Sequence, residues 1–386
     1  MRLASPPLSI NDDLDLELLE KALIENIERL REVKNNSLIF GPKEISKEKY
    51  ILSLEFLVTQ LKENKDKFIE FLQSNFDFYE VYGKEKWGEV FITSYFAPVL
   101  SGSKERTPKH SEPLYKVPDD LVHIRLDQFV DINEELYSLK DSNSTKSKVG
   151  ILRGRIVKED QIANIIPYYT RQEIESQQKL KDQDIVLAWV DPIDSFSLHV
   201  QGSGTVVFED GEELRLGYAS QNGHKYYAIG KYLADKMPEQ KITMQSIENY
   251  LRTISYKEMK NILYKNPSYI FFRELEGRPE TNFGTETIDG RTIATDKSFF
   301  PKGALAYLEF PKPLFKDETS DEISSYEQKS RFVLDQDTGG AIKGTHRVDL
   351  FWGRGKEAGR YAGVMRNWGK LYYIVPKDEF IEQPFD

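Results

Sequence analysis

Apolar residues recur at helical spacing near the start of the chain. Leu16, Leu19, Leu23, Ile27 and Leu30 predict an amphipathic helix over residues 11–33, with acids in its first turn that suit the helix dipole. Ser46 reads as the cap of a second helix carrying Ile51, Leu54, Leu57 and Leu61, and Phe68, Phe71 and Leu72 mark a third. From Glu89 the pattern shortens to β-type runs (VFITSYF, LYKV, VGILRGRIV, IVLAWV), so the middle of the chain reads as mostly sheet. One helix interrupts it, where Thr170 and Glu173 form a capping box ahead of Ile174. TVVFEDGEELRLGYAS reads as a hairpin turning at Asp210 and Gly211, and Asn222 with Gly223 as a further tight turn. Helical periodicity returns over residues 244–263, and strands follow at YIFFREL, GALAYLEF, RFVLD and KLYYIVP, with a short helix over 356–367. The polar stretch 141–148 is expected to be a surface loop.

Composition narrows the function classes. With 386 residues, 39% of them apolar and 12% aromatic, the chain can bury a core and form more than one domain. Its net charge of −10, spread along the chain, offers no basic face for phosphates and argues against nucleic acid. Absence of cysteine removes disulfides, thiolate nucleophiles and cysteine metal sites. His346 lies three residues before Asp349, but a metal would need three or four convergent ligands, so none is expected and His346 reads as a surface or hydrogen-bonded residue. No run of 18 apolar residues is present, and the opening MRLASPPLS lacks the apolar core of a secretion signal.

The densest chemical signal is DQDTGGAIKGTHRVDLFWGRG, residues 335–355. Asp337, Thr338 and Gly339 give the D-T-G of an aspartic protease, but that mechanism needs a second facing carboxylate and no second D-T-G occurs. Gly353, Gly355 and Gly359 have the wrong spacing for a dinucleotide fingerprint. A third reading takes Asp337 and Asp349 as carboxyls of one cleft, since glycosidic cleavage needs a partly desolvated acid to protonate the leaving oxygen.

The stretch TIATDKSFFPKGALAYLEF followed by DQDTGGAIKGTHRVDLFWGRGKEAG resembles the three-aspartate ("3D") segment of the membrane-bound lytic murein transglycosylase A family, with Asp296, Asp337 and Asp349 as its aspartates. Upstream, FITSYFAPVLSGS, DPIDSFSLHVQGSG, GYASQNGHKYYAIGKYL, TMQSIENYL and NPSYIFFRE resemble the family's blocks in the same order. The resemblance implies a mainly β protein with N-terminal helices (α+β): a double-psi β-barrel domain, a second inserted β domain, and a groove between them. Expected boundaries are 1–85 for a helical region packed on the barrel, 86–104 with 237–386 for the barrel, and 105–236 for the insertion.

The implied activity is exo-acting cleavage of the β-1,4 bond between N-acetylmuramic acid and N-acetylglucosamine in peptidoglycan, a carbon–oxygen lyase reaction leaving 1,6-anhydromuramoyl ends and using no cofactor. By the same resemblance Asp349 is the single general acid and base, with Asp337 as electrostatic stabiliser or geometric support. Thr93, Tyr95, Gln201, Gly202, Ser203, Gly204, Asn222 and Lys343 are the expected substrate contacts, and Asp296 a barrel-turn residue. At positions 94, 96 and 97 this sequence has Ser, Phe and Ala where the family more often has Gly, Tyr and Glu. The expected protein is a monomer whose partners are glycan strands and cell-wall synthesis enzymes. It is expected in the periplasm at the outer membrane, its export signal and lipid anchor lying outside the given chain. A non-catalytic, expansin-like wall-binding module and a hydrolase of the same groove remain alternatives.

Overall fold

The strand Glu89–Ala97 alternates strictly at its start: Val90 and Ile92 are fully buried, whereas Phe91, Thr93 and Tyr95 face the other way and keep partial exposure. That period of two makes one side of the strand core and the other a candidate working surface. In the computed structural model, which describes residues 1–7, 9–129, 151–159, 162–237, 242–318 and 322–382, the chain forms two units, 1–98 with 277–386, and 99–276. The polar stretch 141–148 lies outside the described residues.

In the first unit six strands close on themselves. Arg366–Pro376, Ala304–Phe315, Ile323–Asp337, Thr292–Ala294, Arg347–Arg354 and Glu89–Ala97 pair in that order, and Glu89–Ala97 returns to Arg366–Pro376. Two pairs, Thr292–Ala294 with Ile323–Asp337 and Arg347–Arg354 with Glu89–Ala97, are parallel and the rest antiparallel. This is the double-psi barrel that the sequence led us to expect. Closure removes free edges from the ring, apart from the ends that Phe76–Glu80 and Arg2–Ala4 extend.

The helices Leu16–Glu32, Lys47–Glu63 and Phe68–Asn75 share one apolar core with the barrel, through Leu19, Leu23, Leu54, Leu57, Phe68 and Leu72 on one side and Val90, Val348, Leu350 and Leu371 on the other. The first helix starts at Leu16 rather than near Asn11 because Asp12 and Asp13 are engaged elsewhere. Buried Arg291 donates to Asp12 at 2.5 Å, and Arg331 grips Asp13 with two bonds of 2.7 and 2.6 Å, leaving Asp15 to cap the helix. Such forked guanidinium–carboxylate contacts fix geometry as well as contribute energy. Ser46 caps the second helix as its spacing suggested.

The second unit holds a six-stranded sheet ordered Ile270–Glu274, Glu213–Gln221, Gly204–Val207, Val99–Ser103, Val186–Val190 and Glu112–Tyr115, together with a three-stranded sheet. The capping box at Thr170 and the hairpin turn at Gly211, with φ +85°, are both present. More than one helix interrupts these strands: Pro192–Gln201, capped by Asp191, and the short Ile229–Leu233 add to the helix at Arg171–Ser176. Residues 244–263 form two helices, Met244–Thr253 and Tyr256–Leu263, because Ser255 caps the second. Their Ile247, Leu251, Met259 and Ile262 pack with Ile193 and Phe196 in one apolar cluster, so this pair belongs with the second unit and not, as its position after residue 237 suggested, with the barrel. The short helix expected over 356–367 is Gly355–Val364, and Arg366 and Asn367 are already strand.

Candidate active site

Register lines up the key residues across the barrel wall. Asp349 pairs with Thr93 on one side and with Ala294 on the other, and Ala294 pairs in turn with Asp337. Neighbouring strands lie about 4.8 Å apart, so the two aspartates stand roughly 10 Å apart along this row, with only a methyl side chain between them. The aspartates are twelve residues apart in sequence, and the connection from Ile323–Asp337 to Arg347–Arg354, the strands that flank Thr292–Ala294 on its two sides, brings them to one surface.

Asp349 is half-buried, on the face turned away from Val348 and Leu350. The Thr93 hydroxyl donates to its Oδ1 at 2.6 Å, and among the described residues its Oδ2 accepts no hydrogen bond. Loss of solvent around the carboxyl pushes its pKa up to about 6; the Thr93 bond and the Arg347 charge pull it down, and the nearby Asp337 adds to the rise. Desolvation outweighing a single hydrogen bond is the setting in which a carboxylic acid holds its proton close to neutral pH.

Asp337 is bonded quite differently. Its Oδ1 accepts from the backbone amides of Asn282 at 2.9 Å and Thr338 at 2.8 Å, and its Oδ2 from the Tyr95 hydroxyl at 2.7 Å. Burial raises its pKa and these three donors oppose the rise. Thr93 and Tyr95, two residues apart on one strand face, therefore each hold one of the two carboxylates. Asp296 is nearly buried, and its two oxygens accept from the amides of Ser298 at 3.0 Å and Gly344 at 2.9 Å. Although burial pushes its pKa up, those amides and the Lys343 charge hold it below the ordinary value. It pins the loop that carries exposed Lys343, which makes it a turn-holding residue.

In the second unit Gln201 ends the helix Pro192–Gln201, Gly202 turns the chain at φ +85° with open space beside its Cα, and Gly204 begins the next strand. Asn222 is buried. Its Nδ2 donates to the carbonyls of Tyr169 and Pro267 at 2.8 Å each, and its Oδ1 accepts from His224 at 3.3 Å and Tyr269 at 2.9 Å. Those four bonds use the whole amide, so this side chain is scaffolding rather than a sugar contact.

Several neighbours escaped the sequence. Asp335 is fully buried and accepts from Lys302 at 2.5 Å, Thr295 at 2.6 Å and Tyr373 at 2.6 Å, a knot that anchors the strand leading to Asp337. Arg347 sits two residues from Asp349 on the same strand face, touching Thr93 Oγ1 at 3.4 Å. Its parity with Asp349 was the available signal.

The geometry is that of a β-barrel protein with one carboxyl set up for acid–base chemistry. Residues 91–273 match the model of the MltA specific insert domain and residues 291–375 that of the 3D domain. The chain is 31% identical over 308 residues to membrane-bound lytic murein transglycosylase A of Vibrio cholerae, spanning 78% of this chain and 70% of that relative. The crystal structure of membrane-bound lytic murein transglycosylase from Agrobacterium tumefaciens superposes with a TM-score of 0.73 at 27% identity, covering 94% of this chain and 93% of that one. The fold is shared too by E. coli MltA with bound chitohexaose, at TM-score 0.68 and 23% identity over 97% of this chain and 93% of that one. The protein belongs to the membrane-bound lytic murein transglycosylase A family.

Proposed function

We propose that this protein is a peptidoglycan lytic transglycosylase in which Asp349 alone serves as general acid and then general base. Protonated Asp349 gives its proton to the glycosidic oxygen as the bond from the muramoyl anomeric carbon to O4 of N-acetylglucosamine breaks. The resulting carboxylate takes the proton of the muramoyl 6-hydroxyl as that oxygen attacks the anomeric carbon. The 1,6-anhydro ring closes, the acid is restored and no water is consumed.

One carboxyl suffices because the nucleophile is tethered within the substrate, so proximity replaces the second carboxylate that a hydrolase uses to activate water. Asp337, held by three donors on the same barrel surface, supplies negative charge toward the developing oxocarbenium ion. The observation that carries the reading is Asp349 itself, with its raised pKa and one oxygen left without a partner among the described residues. Family membership supports the substrate class, and the chitohexaose bound to the E. coli relative supports a β-1,4-linked amino-sugar strand as ligand.

Proposed sugar contacts are Thr93, Tyr95, Lys343 and the turn 201–204, whose open glycine admits a bulky ring. Relatives described as membrane-bound support action on the wall from the outer membrane, while no helix among the described residues is long and apolar enough to cross a bilayer. Mass spectrometry of digested sacculi tests the reading. Anhydro-muropeptides, lighter by one water than ordinary muropeptides, are expected; reducing ends would make the protein a hydrolase, and no release a binding module.

A further inference from the structure

The row of residues next to the Thr93–Asp349 pair is an aromatic and cationic platform. Phe91, two residues before Thr93 on the same face, pairs in register with Trp368 on one neighbouring strand and with Arg347 on the other. Trp368 is 48% exposed although it is one of only four tryptophans in the chain. Its ring meets Phe91 edge to face, with centroids 5.4 Å apart, and the Arg347 guanidinium lies over the Phe91 ring at 5.3 Å. Rows two residues apart along a strand are about 7 Å apart, so this platform is adjacent to the acid rather than remote from it.

Arg347 is unusual for this protein. The chain carries 63 acids against 53 lysines and arginines, yet among the described residues no carboxylate lies within ion-pair distance of Arg347. Among the described residues its buried Nε has no hydrogen-bond partner, and its guanidinium makes the long bond to Thr93. A guanidinium supported by an aromatic ring, with Asp349 near enough to feel its charge but no carboxylate in ion-pair contact among the described residues, is a fork ready for an external carboxylate. Arg366, opposite Thr93 in register and exposed, adds positive charge on the same side. An exposed indole beside it offers a flat apolar surface to the face of a pyranose ring.

We propose that Trp368, Phe91 and Arg347 form a glycan subsite next to Asp349, the indole stacking on a sugar ring while Arg347 takes a carboxylate carried by the muramoyl unit. This rests on the glycan-cleaving function proposed above and adds to it a preference for acidic strands over neutral ones. Two sources share that chemistry: the free lactyl carboxylate of a stem-less muramoyl residue, and a carboxylate of the stem peptide. A carboxylate on Arg347 also offsets the positive charge that draws Asp349 toward its ionised form, so an occupied subsite favours the acid that the first step needs.

Calorimetry in a D349N background, which binds without turnover, tests this with three ligands of equal length: chitohexaose, a stem-free murein hexamer and a stem-bearing one. At least one of the two murein hexamers should bind about tenfold more tightly than chitohexaose, R347Q should abolish that preference, and W368A should weaken all ligands alike. A preference shown by the stem-free hexamer and lost in the stem-bearing one assigns the contact to the lactyl group, and a preference shown by the stem-bearing hexamer alone assigns it to the peptide carboxylate. Equal affinity for acidic and neutral strands, or a preference unchanged in R347Q, would overturn this subsite while leaving the glycan function standing. Failure of D349N to bind any of the three would sink both.

Discussion

The Thr93 hydroxyl reaches Asp349 Oδ1 at 2.6 Å from the neighbouring parallel strand, and this one bond opposes the desolvation that raises the acid's pKa. A donor to the charged form lowers a pKa, so its loss must raise it. Thr93→Val keeps the β-branched shape and removes the donor. Its alkaline limb in kcat/KM should move to higher pH, and turnover should fall about tenfold because the carboxylate that must next act as base is no longer oriented. A pH–rate profile of the variant beside the wild type reads both effects.

Wild-type activity should decline as pH rises through about 6, the value to which Asp349 is pushed, because free enzyme must carry the proton it donates. Stability has a matching sign. The folded pKa lies above the unfolded value of about 3.9, so between the two the native state keeps a proton the unfolded chain releases, and stability falls with rising pH through that window. Asp349→Asn carries no charge to desolvate and should be more stable than wild type above pH 6, by about 1 to 3 kcal/mol. Chemical denaturation at pH 4 and pH 8 measures the difference, which should shrink at the lower pH.

Tyr95→Phe removes the hydroxyl that binds Asp337 but leaves the Asn282 and Thr338 amides in place. A lost hydrogen bond to a buried carboxylate should destabilise the protein by about 1 to 3 kcal/mol. Turnover should fall with it while Asp349's pH dependence stays near that of the wild type, since Tyr95 does not touch that carboxyl. Paired melting and pH–rate measurements separate the two.

Asp296→Ala unties the Gly344 loop from the turn at Ser298. Two part-buried amides lose their acceptor, so melting temperature should drop by an amount equivalent to about 1 kcal/mol. Asp296→Asn retains an acceptor oxygen and should recover part of that loss. If both variants kept wild-type stability while losing all turnover, Asp296 would be a reactant and not a turn-holder.

Much of the architecture was legible because burial there is one-sided. The first helices show a clean apolar stripe, Ser46 and Thr170 cap where their spacing says, and Glu89–Ala97 alternates because one face is core. Pro192–Gln201 was missed for the opposite reason: Ser195, Ser197 and His199 are buried along with Ile193, Phe196 and Leu198, so no polar stripe marks the helix. His199 lies between Tyr269 and Phe272, neither ring nitrogen is bonded among the described residues, and burial pushes its pKa far down. Spacing within one segment could propose Asp349 and Asp337, and the order of the family's blocks chose between them. Thr93's hydroxyl on Asp349, and the platform of Phe91, Arg347 and Trp368, depend on pairings between strands more than 250 residues apart along the chain, which no local pattern encodes.

The most direct measurement is the turnover of D349N on purified sacculi, read as release of anhydro-muropeptides by mass spectrometry and accompanied by a melting curve. D349N should be folded, at least as stable as wild type above pH 6, with release lower by about 10² or more. Near-normal release of anhydro products by folded D349N would contradict the general-acid role of Asp349.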